Sequence, residues 1–280
     1  MKLRIFTLIL LVILSSCKEA IKSDVQVFKS TDLNNANTVL LEAVMEDVFT
    51  PPVASRIYVY AHLAHYITLQ SLRSDSLQMI RSKVSGLEDF KLPESQEVNP
   101  ELSALLAFSN TGKKLIYSEY YFEDLADSLK AKAIRLGLSE NVINNSEKYA
   151  SEISKLLSTW IDKDMYTETR TYPRFTSTKN SENWRETPPD YLSGLEPYWD
   201  NIRTMVIDSA NVFAYKPLPD YSIEKDSDFY KMVDEVYQES KNTTLEKEKI
   251  AWFWDCNPIM TIHKGHMTTT IHKFTPPGHW

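Results

Sequence analysis

The sequence predicts an all-α fold, a helical bundle with long ordered loops rich in proline and aromatic residues. Three observations predict it. Only 6 of the 280 residues are glycine, too few for a turn-rich β-sandwich, while the 15 tyrosines suit amphipathic packing between long helices. Apolar residues recur at intervals of three and four in several windows, which places them on one face of an α-helix. Between those windows lie extended, proline-bearing stretches such as Tyr172-Pro173-Arg174-Phe175 and Lys216-Pro217-Leu218-Pro219. With 42% of residues hydrophobic and 25% charged, the chain can bury a sizeable globular core.

Residues 18–32 are polar and lack a sustained apolar period, as a flexible tether would, so order is expected from Leu33. A first helix is predicted over residues 37–49, with Val39, Leu40, Ala43, Val44 and Val48 at helical spacing. Thr50-Pro51-Pro52 closes it and opens the next: Thr50 can cap, and proline suits the first helical position because no backbone N–H is needed there. Val53, Ile57, Tyr60, Ala61 and Ala64 then form one buried face. Residues 74–100, with Gly86 and Pro93, read as a shorter helix and a surface loop. Asn99-Pro100 opens a long helix in which Leu102, Leu105, Leu106 and Ile116 point inward. Another helix covers residues 125–136 and ends at Gly137. The next covers residues 139–160, with Val142, Ala150, Ile153, Leu157 and Trp160 as its apolar positions. Residues 164–189 are predicted as a long extended loop held by its aromatics, since proline fixes φ and removes a donor. Helical spacing returns over residues 226–239, through Phe229, Val233, Val236 and Tyr237, and over residues 243–255, through Ile250, Phe253 and Trp254. There is no internal repeat.

The N-terminus reads as a targeting segment. Lys2 and Arg4 precede a short apolar stretch, residues 5–14, which is too short to span a bilayer comfortably. Leu14-Ser15-Ser16-Cys17 matches a bacterial lipobox, so residues 1–17 read as a lipoprotein signal peptide and Cys17 as the lipidated first residue of the mature chain. Each buried methylene of an acyl chain contributes about 0.8 kcal/mol, enough for a multiply acylated cysteine to hold the protein on a membrane of the bacterial cell envelope, facing the periplasm or the cell surface. Cys256 is then the only other thiol, no intrachain disulfide can form, and the residue reads as a small buried apolar group. A formal net charge of -7 with no basic stripe argues against a nucleic-acid partner, whose phosphates require clustered Lys and Arg.

The chemistry-bearing residues are sparse. His263, His266, His272 and His279 gather near the C-terminus, and His263 and His266 have the spacing of one helix face. No carboxylate or cysteine lies among them, and Asp255 and Cys256 stand on the far side of Pro258, so no metal site is assigned. His62 and His65, three apart among apolar neighbours, read as packing histidines. There is no Gly-x-Ser-x-Gly elbow, phosphate-cradling glycine loop or paired-cysteine signature, and no carboxylate pair is isolated by its spacing. No catalytic, cofactor-binding or metal-binding residue follows from the pattern.

One run is more specific: Trp184-Arg185-Glu186-Thr187-Pro188-Pro189-Asp190-Tyr191-Leu192-Ser193-Gly194-Leu195-Glu196-Pro197-Tyr198-Trp199, together with Thr275-Pro276-Pro277-Gly278-His279-Trp280. It resembles the bacterial vanadium-dependent haloperoxidases, which share their helical fold with the type 2 phosphatidic acid phosphatases. Residues 172–176, 202–219 and 250–258 look similar as well, and so does the Pro51-Pro52-Val53-Ala54-Ser55-Arg56 run with its following helix. The resemblance implies an oxyanion site of one lysine, two arginines, a glycine amide and two histidines. One histidine acts as acid/base, and the other is the axial ligand of vanadium or the nucleophile toward phosphate. In the family these occur as Lys with a following Arg-Pro, a Ser-Gly-His and an Arg with a later His, on helices after the Thr-Pro-Pro-Gly-His-Trp element. Gly265-His266 and Gly278-His279 do not match Ser-Gly-His, being preceded by Lys264 and Pro277. The expectation is that residues 33–280 form the helical N-terminal part of such a domain, without its catalytic helices and inactive alone. No cofactor is expected in this chain, and vanadate only in an intact haloperoxidase relative. The implied partner, beyond the membrane held through Cys17, is a C-terminal catalytic fragment or a second subunit. The alternative is a complete helical binding or scaffold lipoprotein without catalysis. Residues 259–280 are expected to be the least stable ordered region.

Overall fold

A computed structural model describes residues 27–73, 80–88, 90–178, 180–188, 191–214, 217–255, 257, 259–264, 266–272 and 275–278. Their order is α1 (Ser30–Glu46), α2 (Pro51–Arg73), α3 (Pro100–Leu115), α4 (Tyr120–Arg135), α5 (Glu140–Ile161), the single turn α6 (Tyr166–Thr169), two 3-10 turns (Trp199–Asn201 and Ala210–Phe213), α7 (Asp228–Lys241), α8 (Leu245–Trp254), β1 (Ile259–Lys264) and β2 (Met267–His272). The described residues divide into two compact units, one drawn from residues 27–43, 58–73 and 90–158, the other from residues 44–57, 80–88 and 159–278.

The first unit is a helical core built around α3, whose residues from Glu101 to Phe108 are all buried. A helix covered on every side belongs at the centre of a bundle. Its start is fixed by Asn99, fully buried, whose side chain accepts from Leu102 N at 3.0 Å while its own N–H donates to Ser146 Oγ of α5 at 2.9 Å. One residue thereby caps one helix and ties it to another. Small hydroxyls let the helices approach without orphaned polar atoms: Ser109 donates to Phe122 O at 2.8 Å and Ser154 to Ala107 O at 3.2 Å. Gly112 leaves room for the Phe122 ring, which a Cβ would meet at 2.4 Å. Along α4, Phe122, Leu125, Leu129 and Ala133 form a buried stripe at helical spacing. The helix ends at Gly137, φ 93°, with Gly137 N bonded to Ile134 O and Leu138 N to Ala133 O. That pair of bonds requires a left-handed residue at Gly137, which glycine adopts without strain.

The second unit is unequal in its burial. Val53, Ala54 and Ile57 of α2, with Val44, Val84, Leu87, Trp160 and Ile161, are buried, but between Arg170 and the hairpin no residue of described burial is. Helices α7 and α8 are capped by Ser227 and Thr244, which accept from Tyr230 N and Lys247 N, so their ends are locally specified. Neither has a buried residue.

The helical class and the predicted faces of α2, α3 and α5 agree with this architecture. Five details differ. Helix α1 starts at Ser30 and Phe28 is 1% exposed, so order begins before Leu33 and the expected tether limit at residue 32 falls inside α1. Val48 lies outside the helix with φ 56°, because the chain must reverse before Thr50. Helix α4 begins at Tyr120, five residues before its predicted start. The helical spacing over residues 226–239 and 243–255 does give α7 and α8, but neither helix buries a residue of its apolar face. Finally, His263 and His266 do not share a helix face: β1 and β2 form an antiparallel hairpin, with His263 opposite Thr268 and Lys264 opposite Met267. Cys17, Cys256, His279 and Trp280 lie outside the described residues.

Candidate functional site

Residues 51–56, 172–176 and part of the 184–199 run, which carry much of the sequence resemblance, lie in the second unit, beside a buried ion pair. Arg56, in the second turn of α2, bonds to Asp164 at 2.6 Å, and the two side chains are 8% and 1% exposed. Burying either charge alone would cost several kcal/mol, so each holds the other in place. Asp164 also accepts from Tyr166 N at 2.9 Å, and its carbonyl accepts from Arg203 N at 3.0 Å. The Tyr166 ring is contacted by two guanidiniums, those of Arg56 and Arg170, each 4.2 Å from its centroid. Arg203 closes the network by donating to Trp160 O at 2.9 Å and stacking on the Trp160 ring at 3.8 Å, while Trp160 Nε1 donates to Ser85 O at 3.2 Å.

On this base, the loops around Tyr172 and Tyr198 enclose a cavity of about 260 Å³. Arg170 bonds to Glu196 at 2.5 Å, Arg174 donates to Ser193 Oγ at 2.8 Å, and the Tyr198 hydroxyl donates to Pro173 O at 2.5 Å. Tyr172 meets Tyr198 edge-on at 5.1 Å, and Phe175 lies 5.9 Å from Trp184. Side-chain bonds and ring contacts replace the ladder that proline forbids, which is how a loop of this composition stays ordered. Glu196 adopts φ 49°, a strained value for a non-glycine residue, and its carboxylate is pinned there by Arg170. Partial burial opposes the Arg170 charge, but the hydrogen bonds it donates to Glu196 and Tyr166 outweigh it and hold its pKa above the ordinary arginine value.

The two guanidiniums make the cavity a candidate anion site, and the Glu196 carboxylate works against one. No histidine or lysine lines it, and its one carboxylate, Glu196, is held in the ion pair with Arg170. Arg56 and Glu196 fall within the resembling runs, but the sequence pattern assigns no role to them or to Asp164, Arg170 or Arg203. Arg56 carries the clearest signal, an arginine on an otherwise apolar helix face.

The histidines lie elsewhere. His62 Nε2 is 2.9 Å from Asn37 Oδ1 and its ring meets Phe108 edge-on at 5.2 Å, a packed and satisfied residue. Burial pushes its pKa down. His65 is pushed further, to about 4, by burial and then by its neighbours His62 and Arg73. Among the described residues no three His, Cys, Asp or Glu side chains come together as a metal-binding group. No helix there is long and apolar enough to cross a membrane.

No protein-family model matches the chain, and no curated protein does so. A solved structure does: the first bacterial vanadium-dependent iodoperoxidase, at 34% identity and a TM-score of 0.75 over 85% of this chain. The chain spans 58% of the length of that relative. Over the matched residues it has the fold of a vanadium haloperoxidase.

Proposed function

We propose that the chain is the N-terminal helical portion of a vanadium-dependent haloperoxidase-like lipoprotein and is inactive alone. In this reading the oxyanion-binding residues belong to polypeptide outside these 280 residues. The carrying observation is the likeness to the iodoperoxidase, which covers most of this chain but 58% of that one. The composition of the loop cavity supports it. Vanadate or phosphate needs converging cations and histidines, whereas Arg170 is already paired with Glu196, which would repel an entering oxyanion, and no histidine is at hand. The described residues do not fit that group. Intact relatives of this kind would act on halide with peroxide or on phosphoesters.

The purified chain, supplied with vanadate, peroxide and iodide or bromide, is expected to halogenate a phenolic dye no faster than buffer does. It is likewise expected to leave a phosphomonoester intact. Vanadate-dependent halogenation by this chain would overturn the inactive reading. For the envelope anchor, labelled fatty acid should be incorporated by the native chain in a bacterial host and not by Cys17→Ser; equal labelling of both would remove Cys17 from that role.

A second reading, a complete helical binding or scaffold lipoprotein, is favoured by the exposed aromatics of α8, where Trp252, Phe253 and Trp254 are 58%, 61% and 60% exposed. A soluble monomer that unfolds cooperatively through all its helices would favour it over the first.

A further inference from the structure

In the first unit, the end of α2, the start of α3 and the chain entering α1 enclose a cavity of about 280 Å³ that lies among none of the resembling loops. Leu33, Leu69 and Leu105 make its wall apolar, with the buried ring of Phe28. His65, Leu69 and Arg73 come from one stripe of α2 at intervals of four, and Glu101 and Leu105 from one stripe of α3. A bundle interior would ordinarily fill this space with hydrocarbon. Here three kinds of polar group face it instead.

Arg73 pairs with Glu101, whose side chain is 11% exposed against 42% for the arginine. The pairing occupies part of a guanidinium fork with five donors, leaving N–H groups for a second acceptor. Lys29, on the exposed rim, adds a positive charge, so Arg73 and Lys29 outnumber Glu101 in the wall. Nearby Asp32 is held by Lys132 at 2.5 Å. The His65 ring has no hydrogen-bond partner among the described residues, in contrast to His62 one turn earlier. Burial and the adjacent Arg73 keep it neutral near pH ~7, with one N–H donor and one acceptor turned to account by no protein group.

We propose that this cavity is a binding site for a small monocarboxylate with an apolar body. The carboxylate lies toward Arg73, Lys29 and His65, and the hydrocarbon lies against Phe28, Leu33, Leu69 and Leu105. The positive excess in the wall favours an anion over a neutral amphiphile or an ammonium of the same shape. Glu101 limits that preference to a single negative charge, because a dianion would face its carboxylate at close range. The volume is at the small end of ligand pockets, which run from about 300 Å³ upward, and suits a short aliphatic or aryl acid.

The test uses the full chain with octanoate as probe, and octanol and octylammonium as controls, followed by calorimetry and by the His65 ring resonances. Octanoate is expected to bind saturably at one site, about tenfold more tightly than either control. Its charge should also raise the His65 pKa on binding, a response that a merely structural histidine would not show. Arg73→Gln should lose most octanoate affinity while octanol binding stays unchanged. Because that variant strands Glu101 and can unfold, Lys29→Gln on the exposed rim and Leu33→Trp, which fills the space, serve as second variants. The first should weaken octanoate alone, and the second should abolish binding with the helical circular dichroism retained. Equal binding of the three probes, an unmoved His65 pKa, or octanoate affinity undiminished in folded Leu33→Trp would each overturn the proposal.

Discussion

At the scale of single residues, buried charge and its partners decide what the second unit can tolerate. Arg56 and Asp164 are nearly inaccessible and 2.6 Å apart, so removing one leaves the other charged in a poorly solvated site. Arg56→Met is expected to lower unfolding free energy by about 3–5 kcal/mol, read from the urea midpoint. Asp164→Asn should cost less, since an amide oxygen can still accept from Tyr166 N. A loss under ~1 kcal/mol in Arg56→Met would mean the pair is solvated. His65 supplies a pH dependence of definite sign. Its folded pKa is depressed from 6.5 to about 4, so the unfolded chain takes the proton first. Its contribution is complete above the unfolded value and is lost as pH falls from 6.5 toward 4. After allowance for the ring's partial exposure this amounts to about 1–2 kcal/mol, and His65→Phe should flatten the urea midpoint across that window. Neither feature was legible beforehand. Arg56 and Asp164 are 108 positions apart, and no spacing rule pairs them, whereas His65 looks like His62 until the missing hydrogen bond separates them.

At the scale of elements, the same periodicity has two outcomes. The α4 stripe of Phe122, Leu125, Leu129 and Ala133 is buried, while the α7 stripe of Phe229, Met232, Val233, Val236 and Tyr237 surrounds an open, almost wholly apolar hollow. Spacing tells which face of a helix is apolar, but what covers that face is a property of the rest of the fold. Helices α2, α3 and α5 were therefore legible from period and caps, and the exposure of α7 was not. The hairpin did leave a signal: Ile259, Thr261, Ile262 and Thr268 to Ile271 are β-branched, and two residues separate Lys264 from Met267. The spacing of His263 and His266 fits a helix face equally well, which masks that signal. Substitution separates the two apolar stripes. Leu129→Ala is expected to cost about 2–4 kcal/mol. The double change Val233→Asp and Val236→Asp should leave the isolated chain within about 0.5 kcal/mol of native while making it more soluble. A large destabilisation by the aspartates would show that α7 is covered within this chain.

At the scale of the whole molecule, burial is concentrated in the first unit and in the few residues that root the second. Leu102, Phe108 and Ile153 are at most 1% exposed, so their amides are released only by opening the helical core. In α7 and α8 no residue is buried, and a helix of 10–14 residues with so little burial is marginal in water. Hydrogen exchange is therefore expected to be slow across α3 and α5 and fast across residues 228–254, with protection in the latter close to that of a free peptide. Within the last residues, buried Pro277 and half-buried Gly278 form a local exception. A Cβ at Gly278 would meet Pro51 O at 2.4 Å, so Gly278→Ala should disturb the first turn of α2 as well as the tail. If polypeptide outside this chain covers α7 and α8, adding it should slow their exchange and leave α3 unchanged, since α3 is already enclosed. Protection of α7 equal to that of α5 in the isolated chain would instead mean that this chain covers its own apolar faces, and the proposal of a portion awaiting its partner would fail.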